Sequence, residues 1–261
     1  MISAVLITLN AEQHLDRVLT ALGGCAEIVI LDSGSTDNTR AIAERHGARF
    51  EVHPFDSYGP QKRRAVTLAR HDWVLSVDAD EVLEADLTGL DLTNPARCFR
   101  IRRRNHVGSQ EIRHGHWNPD WCVRLFNRTV HTFSDDAVHE SVRPTGPVAT
   151  LPGSLLHYGY ADLGDIIRMK YHRMKAERYR AEGRRASGPL LAARALAAFG
   201  RSYVLKSGWR DGPAGVCVAL SAAVNATFGL ALASEVRGPG SGVRGPANSN
   251  PGDAPGPQRH H

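Results

Sequence analysis

Three times in the first seventy residues an apolar strand runs into a short polar turn and then into a helix, and that alternation leaves few folds open. Ile2 to Leu9 reads as a buried strand, with Asn10 as the N-cap of a helix whose apolar positions Leu15, Val18, Leu19 and Leu22 recur at helical spacing. Glu27 to Leu31 repeats the plan: a near-continuous apolar strand, the polar turn Asp32 to Asp37, and a helix from Asn38 to His46 capped by Ser35 or Thr36. A third strand around Phe50 to Val52 leads to a helix with Pro60 near its first turn and Lys62, Arg63 and Arg64 on its opening face. Strands alternating with helices build a mostly parallel α/β sheet with right-handed crossovers, and the ligands of such sheets sit beyond the carboxyl ends of the strands. Thr8, Asn10, Asp32, Asp37 and Asp78 all fall at those ends.

The fourth strand, Trp73 to Val77, stops abruptly in Asp78-Ala79-Asp80-Glu81. Alternation along an extended chain predicts that Asp78 and Asp80 share a side, and oxygen ligands of this kind suit Mg²⁺ or Mn²⁺, which keep waters and bind substrate phosphates. An isolated D-x-D also describes an acidic strand-end turn, so the motif takes its meaning from its neighbours.

Those neighbours are I-T-L-N-A-E (Ile7 to Glu12), I-L-D-S-G-S-T-D-N-T (Ile30 to Thr39), G-P-Q-K-R (Gly59 to Arg63) and S-V-D-A-D-E (Ser76 to Glu81). Further on come R-R-N (Arg103 to Asn105), R-H-G-H-W-N-P-D-W-x-x-R-L-F (Arg113 to Phe126), V-H-E-S-V (Val138 to Val142) and L-L-H-Y-G-Y (Leu155 to Tyr160). In this order and spacing the motifs resemble glycosyltransferase family 2, and within it the lipopolysaccharide-core branch, over residues 1 to 235. The resemblance implies a GT-A type fold, a nucleotide-sugar donor and a divalent metal. The family at large often carries D-D-G-S where this chain has Asp32-Ser33, which moves the nucleotide-base contact to Asp32 or a neighbour.

Composition fits one sizeable α/β domain with a helical appendage, in 261 residues of which 42% are hydrophobic. The expected division is a catalytic domain over 1–160, a basic and apolar helical segment over 161–235, and a disordered Gly, Pro, Asn and Ser tail over 236–261. The cysteines at 25, 98, 122 and 217 show no metal-ligand spacing and read as reduced thiols of a cytoplasmic protein. The N-terminal apolar run belongs to the first strand and lacks the cationic leader of a signal peptide.

Charge is concentrated. Between Arg168 and Arg210 twelve Lys and Arg face only Glu177 and Glu182, a local +10 in a chain of net +5, so the remainder carries −5. A basic stripe beside apolar helices suits an anionic membrane surface or a phosphorylated glycolipid acceptor; a solvated helix face is the plainer alternative. Nucleic acid is not expected, because interleaved aromatics and a recognised binding module are missing. Gly215 to Ala233 is long enough to cross a bilayer, yet its Ala and Gly content favours a helix lying on the membrane or docked against the catalytic domain.

Transfer from a nucleotide sugar builds negative charge on the leaving diphosphate. Asp80 is the expected metal ligand, and Asp78 helps through the ribose or a metal-bound water. The resemblance adds His157 as a further metal ligand, a satisfied core histidine being the alternative. Expected donor contacts are Thr8, Asn10, Glu12, Asp32, Lys62, Arg63 and Asp78, with Arg103, Arg104 and Arg124 for acceptor or phosphate. A base must face the acceptor hydroxyl. Glu140 is favoured by its place in the family pattern, while Asp120 is expected to orient the acceptor or to pair with Arg124. Single displacement inverts the anomeric centre. A polyprenyl-phosphate acceptor and a nucleotidyltransferase are the competing readings, the second weakened by the missing Gly-rich loop after the first strand.

Overall fold

The computed structural model describes residues 1–134, 141–166 and 169–235. Its N-terminal half follows the sequence closely: β1 (Ile2–Thr8), α1 (Glu12–Ala21), β2 (Glu27–Asp32), α2 (Thr39–Arg45), β3 (Arg49–Val52), α3 (Tyr58–Leu68) and β4 (Trp73–Ser76). These four strands are parallel, in the order β3-β2-β1-β4. The chain winds outward from β1 to β3 and then crosses back to β4 on the other side of β1. That reversal of strand order opens a crevice between the loops after β1 and β4, the usual place for a ligand in an open α/β sheet.

The second half extends the same sheet with β5 (Glu81–Glu84), β6 (Cys98–Val107), β7 (Gln110–Glu111), β8 (Asp120–Asn127) and β9 (Val148–Tyr160). β8 joins β4 antiparallel, β6 joins β8 antiparallel, β9 runs parallel to β6, and β5 lies antiparallel on the outside of β9; β7 pairs with β6. The parallel plan read from the early strands thus gives way to antiparallel pairing once β8 docks on β4.

Alternating side chains place two apolar layers on the sheet. Ala4 and Leu6 of β1 pack with Leu15, Val18 and Leu19 of α1, and Val5 packs on the opposite face with Ala65 and Val66 of α3 and Phe126 of β8. Leu6, Leu15 and Phe126 are fully buried, each contributing roughly 1.5–3 kcal/mol by leaving water. All four cysteines are free.

Three helices follow: α4 (Met169–Ala181), α5 (Gly188–Gly200) and α6 (Gly212–Ser234), with a π-helical turn at Arg201–Leu205. A third cluster, Val107, Ile112, Ile166, Ala214 and Val218, fastens α6 to the β6–β7 hairpin. Beside it Asp211 acts as a clasp. Its carboxylate accepts the backbone N–H groups of Arg113 and His114 and the His114 Nδ1 at 2.7–3.1 Å, while Gln110 donates to the Asp211 carbonyl. Gly115, at φ +79°, approaches so closely that a Cβ there would stand 3.2 Å from Ser202 Oγ and 3.3 Å from Val218 Cγ1. The R-H-G-H-W segment therefore holds the C-terminal helices against the sheet. α6 is the one helix among the described residues long and apolar enough to cross a membrane, and a third of its most apolar window is buried within the fold.

Two sequence-based caps differ. Asn10 is not the N-cap of α1: it sits at φ +50°, and its Oδ1 accepts from Thr36 N at 2.9 Å. α2 begins at Thr39, whose backbone N–H donates to Asp37 Oδ1 at 3.0 Å rather than to Ser35 or Thr36.

Candidate active site

The loops after β1 and β2 are laced together before they meet anything else. Thr8 Oγ1 donates to Asp32 Oδ2 at 2.7 Å, and the other Asp32 oxygen accepts Gly34 N and Ser35 N at 2.8 and 2.7 Å. Asp32 is 1% exposed with both oxygens engaged, so it shapes the turn, and its neighbour Ser33 is the residue that lines the cavity. Glu12 accepts from Asn38 N and Nδ2, and Asp37 Oδ2 accepts from Glu12 N. Of the expected donor contacts on these loops, Thr8 and Asn10 reach the cavity; Glu12 and Asp32 brace it.

Asp78 and Asp80 do not alternate along an extended strand. β4 ends at Ser76 and both acids lie in the tight connection to β5, where Asp78 N donates to Glu81 Oε2 at 3.1 Å. Their surroundings differ accordingly. Asp78 is clamped by Lys62 Nζ on one oxygen and Arg124 Nη2 on the other, both at 2.8 Å. Burial opposes its ionisation, but Arg124 and Lys62 outweigh that and hold the carboxyl well below its ordinary range. Arg124 continues to Glu81 Oε1, and Glu81, fully buried, also meets Arg103 at 3.3 Å. Arg103 donates to Asp120 Oδ2 at 2.9 Å, and Asn105 Nδ2 donates to the same oxygen at 3.0 Å. Asn105 Oδ1 faces His157 Nδ1 at 2.7 Å, and His157 Nε2 stands 3.6 Å from Asp80 Oδ2. The network closes on itself, because it begins at Asp78 and ends two residues away.

Strand register produces this ring. Glu81 and Asn105 are both cross-strand partners of His157, one on each side of β9, and Arg103 is the partner of Asp120 on β8. Asp120 therefore pairs with Arg103 and Asn105 rather than with Arg124, whose guanidinium is taken by Asp78 and Glu81. Arg104 alternates to the other face of β6 and pairs with Glu84 and Glu111, away from the cavity. Arg63 donates to the Phe133 and Ser134 carbonyls behind the site. Glu140 lies outside the described residues.

Charge counting around the ring isolates one group. Lys62, Arg124 and Arg103 balance Asp78, Glu81 and Asp120, whereas Asp80 has no Lys or Arg paired with it among the described residues, His157 standing beside it and His14 near enough to feel its charge. Burial works against the ionised form of Asp80; the hydrogen bond and charge of His157 overcome this and lower its pKa. Since Asn105 Nδ2 donates to Asp120, its Oδ1 is the atom facing His157, an acceptor that requires Nδ1 to carry the proton. Nε2 faces Asp80, and a cation held between them would replace the proton through which they meet. Gly159 keeps that place open: a Cβ there would stand 2.4 Å from His157 Nε2 and 3.2 Å from Asp80 Oδ2. Among the described residues no group of three or more His, Cys, Asp or Glu is arranged to hold a metal. An ion held here would take Asp80 and His157 as its protein ligands, and a mixed imidazole and carboxylate set suits Mn²⁺ better than Mg²⁺.

The ring borders a cavity of about 1070 Å³ at the carboxyl ends of β1 and β4. Its walls include Phe55 and Tyr58, Trp121 of β8 and Tyr160 of β9, and its far side is formed by Lys175 of α4 with Ser221, Val224 and Asn225 of α6. The helices are thus part of the site. Sequence reasoning missed this wall, and also Glu81 and Asn105, although D-A-D-E and R-R-N contained both residues.

Fold and site together define an α/β domain of GT-A architecture with an acidic turn and a histidine facing one crevice. The glycosyl transferase family 2 model matches residues 3–90 of this chain. The lipopolysaccharide core biosynthesis glycosyltransferase LpsC of Rhizobium meliloti (strain 1021) is 32% identical over 169 residues, covering 60% of this chain and 63% of LpsC. An uncharacterised glycosyltransferase of Rickettsia bellii (strain RML369-C) is 41% identical over 87 residues, 33% of this chain and 30% of that protein. The chain thus spans less than two thirds of the length of these relatives. Among solved structures, glucosyl-3-phosphoglycerate synthase from Mycobacterium tuberculosis, in complex with Mn²⁺, UDP and glucosyl-3-phosphoglycerate, is 26% identical. It covers 41% of this chain and 44% of its own, with a TM-score of 0.33.

Proposed function

We propose that this chain transfers a sugar from a nucleotide-sugar donor, a UDP-sugar first, to a glycolipid acceptor of the lipopolysaccharide-core kind, inverting the anomeric centre. The observation that carries the reading is Asp80, the carboxylate of the ring that no Lys or Arg among the described residues balances, with His157 beside it in the wall of a large cavity. LpsC, a core-biosynthesis transferase, supports the acceptor class.

Asp80 and His157 would hold a divalent cation that neutralises the departing diphosphate. Lys62 and Arg124 fix Asp78, and so fix the turn that presents Asp80. Thr8, Asn10 and Ser33 lie where the donor's nucleoside enters, and Phe55 and Tyr58 offer an aromatic wall. Asp120 Oδ2 already accepts two hydrogen bonds, so Asp120 positions Asn105 and, through it, His157; the base role is assigned to Glu140. Reaction occurs by direct attack of the acceptor oxygen as the bond to diphosphate breaks, the hydroxyl proton passing to the base.

The membrane part of the reading rests on a narrower surface than the basic stripe. Arg178 pairs with Glu182, Arg180 donates to the Leu232 carbonyl and Lys175 lines the cavity. Arg168 and the side chains of Lys170 and Arg173 lie outside the described residues. What faces outward is α5 and the turn after it: Leu196, Leu205 and Trp209 are 74%, 79% and 58% exposed, with Arg194, Arg201 and Arg210 exposed among them. An apolar surface ringed by arginines suits the anionic cytoplasmic leaflet, where a lipid-anchored acceptor is held. Residues 1–160 carry the chemistry and 161–235 wall the cavity and meet the membrane; the segment 236–261 lies outside the described residues.

The test is a panel of UDP-, GDP- and dTDP-sugars assayed for metal-dependent hydrolysis and transfer. One donor should be used, EDTA should abolish turnover, and Asp80→Ala should do the same without unfolding the protein. Full turnover after chelation would refute the metal assignment.

A further inference from the structure

Part of the cavity wall comes from helices beyond residues 3–90, the segment that matches the family. Ser221, Asn225 and Gly229 are spaced four apart on α6 and so share one stripe. Gly229 lets α4 come close: a Cβ there would meet Lys175 Cβ at 3.1 Å and the Tyr179 ring at 3.3 Å. One helical turn away Asn225 is exposed, whereas the hydroxyls of Ser221, Thr227 and Ser234 turn back to carbonyls of the same helix at 2.7–2.8 Å. Lys175 and Asn225 thus stand together on one wall of the cavity.

The cations lining the cavity are not alike. Lys62, Arg103 and Arg124 each contact a carboxylate of the ring. Lys175 contacts none among the described residues, although it is half-buried between α4 and α6. A lysine held in a cavity without an acidic partner among the described residues attracts an anion, and an amide beside it is suited to sugar hydroxyls.

We infer that Lys175 and Asn225 form an acceptor subsite for an anionic sugar, with Lys175 binding a phosphate or carboxylate group and Asn225 an adjacent hydroxyl. This deepens the transferase reading and rests on it. The metal and donor occupy the β4–β5 side of the cavity; the helices read the charge of the molecule that receives the sugar.

The experiment measures binding of glucose 6-phosphate, glucose and inorganic phosphate by calorimetry, with Mn²⁺ and a saturating nucleoside diphosphate present so that the donor's phosphate site is filled. The expected result is that the wild type binds glucose 6-phosphate about 10-fold or more tightly than glucose, since one charge-assisted contact separates them. Lys175→Gln should remove that preference, Lys175→Arg should keep most of it, and nucleotide affinity should stay within about twofold in both. Asn225→Ala should weaken glucose 6-phosphate but not inorganic phosphate. A wild type without preference for the phosphorylated sugar, or a folded Lys175→Gln protein that keeps it, overturns the inference. Loss of nucleotide affinity in Lys175→Gln overturns it too, by moving Lys175 to the donor side. Failure of the wild type to bind any nucleoside diphosphate with Mn²⁺ instead counts against the transferase reading itself.

Discussion

Asn105→Ala tests the metal assignment without touching either metal ligand. Asn105 is 4% exposed and makes two hydrogen bonds, 2.7 Å to His157 Nδ1 and 3.0 Å to Asp120 Oδ2. Removing its amide frees the His157 ring to rotate and to change tautomer. Loss of a group that orients a metal-bound histidine typically costs about 10–100-fold in metal affinity, or about 1.4–2.8 kcal/mol. The same change leaves His157 and Asp120 each one partner short in a buried place, a stability loss of roughly 2–4 kcal/mol. For a chain of this size that lowers the melting temperature by roughly 5–15 °C, so binding is measured well below the transition. The assay is Mn²⁺ titration in the presence of UDP, following free Mn²⁺ by electron paramagnetic resonance. Asn105→Ala should require at least about 10-fold more Mn²⁺ for half saturation. A folded variant with wild-type Mn²⁺ affinity would refute the reasoning: His157 would then be no ligand, and its contact with Asp80 would be structural.

The base assignment predicts that Glu140→Gln lowers turnover roughly 10²–10⁴-fold with donor affinity nearly unchanged, and that Asp120→Asn lowers it less; the reverse order in steady-state kinetics would transfer the role to Asp120. For the membrane surface, replacing Leu196, Leu205 and Trp209 together with Ser should weaken sedimentation with phosphatidylserine-containing vesicles by about 100-fold or more. Each side chain contributes on the order of 1–2 kcal/mol when its exposed area enters the interface. Vesicle binding unchanged by this triple substitution and by salt would dismiss that surface.

What the sequence disclosed was local. The β1-to-β4 plan was legible because apolar runs and 3.6-residue spacing report on neighbours in the chain, and strand ends then located Thr8, Asn10, Asp78 and Asp80. The ring was hidden because it depends on pairing between strands far apart in sequence. Nothing local says that His157 falls opposite both Glu81 and Asn105, or that Arg103 meets Asp120 while Arg104, one residue on, turns to Glu84 and Glu111. Asn10 misled as a cap because its side chain serves the neighbouring loop, a choice made by how β1 and β2 align. The basic stripe looked uniform in sequence, but helical rotation sends Lys175 into the cavity, Arg180 to the end of α6 and Arg194 to solvent.

The clasp at Asp211 also sets a timetable. During synthesis the β6–β7 hairpin emerges before the helix that covers it, and about 130 residues separate Val107 from the end of α6. At ordinary elongation rates that interval lasts roughly 6–25 s, during which Val107 and Ile112 lack their covering helix. The nascent protein is therefore an unfinished half-shell with a sticky rim, a natural client for chaperones. It gains its full cavity wall only when Asp211 and α6 arrive.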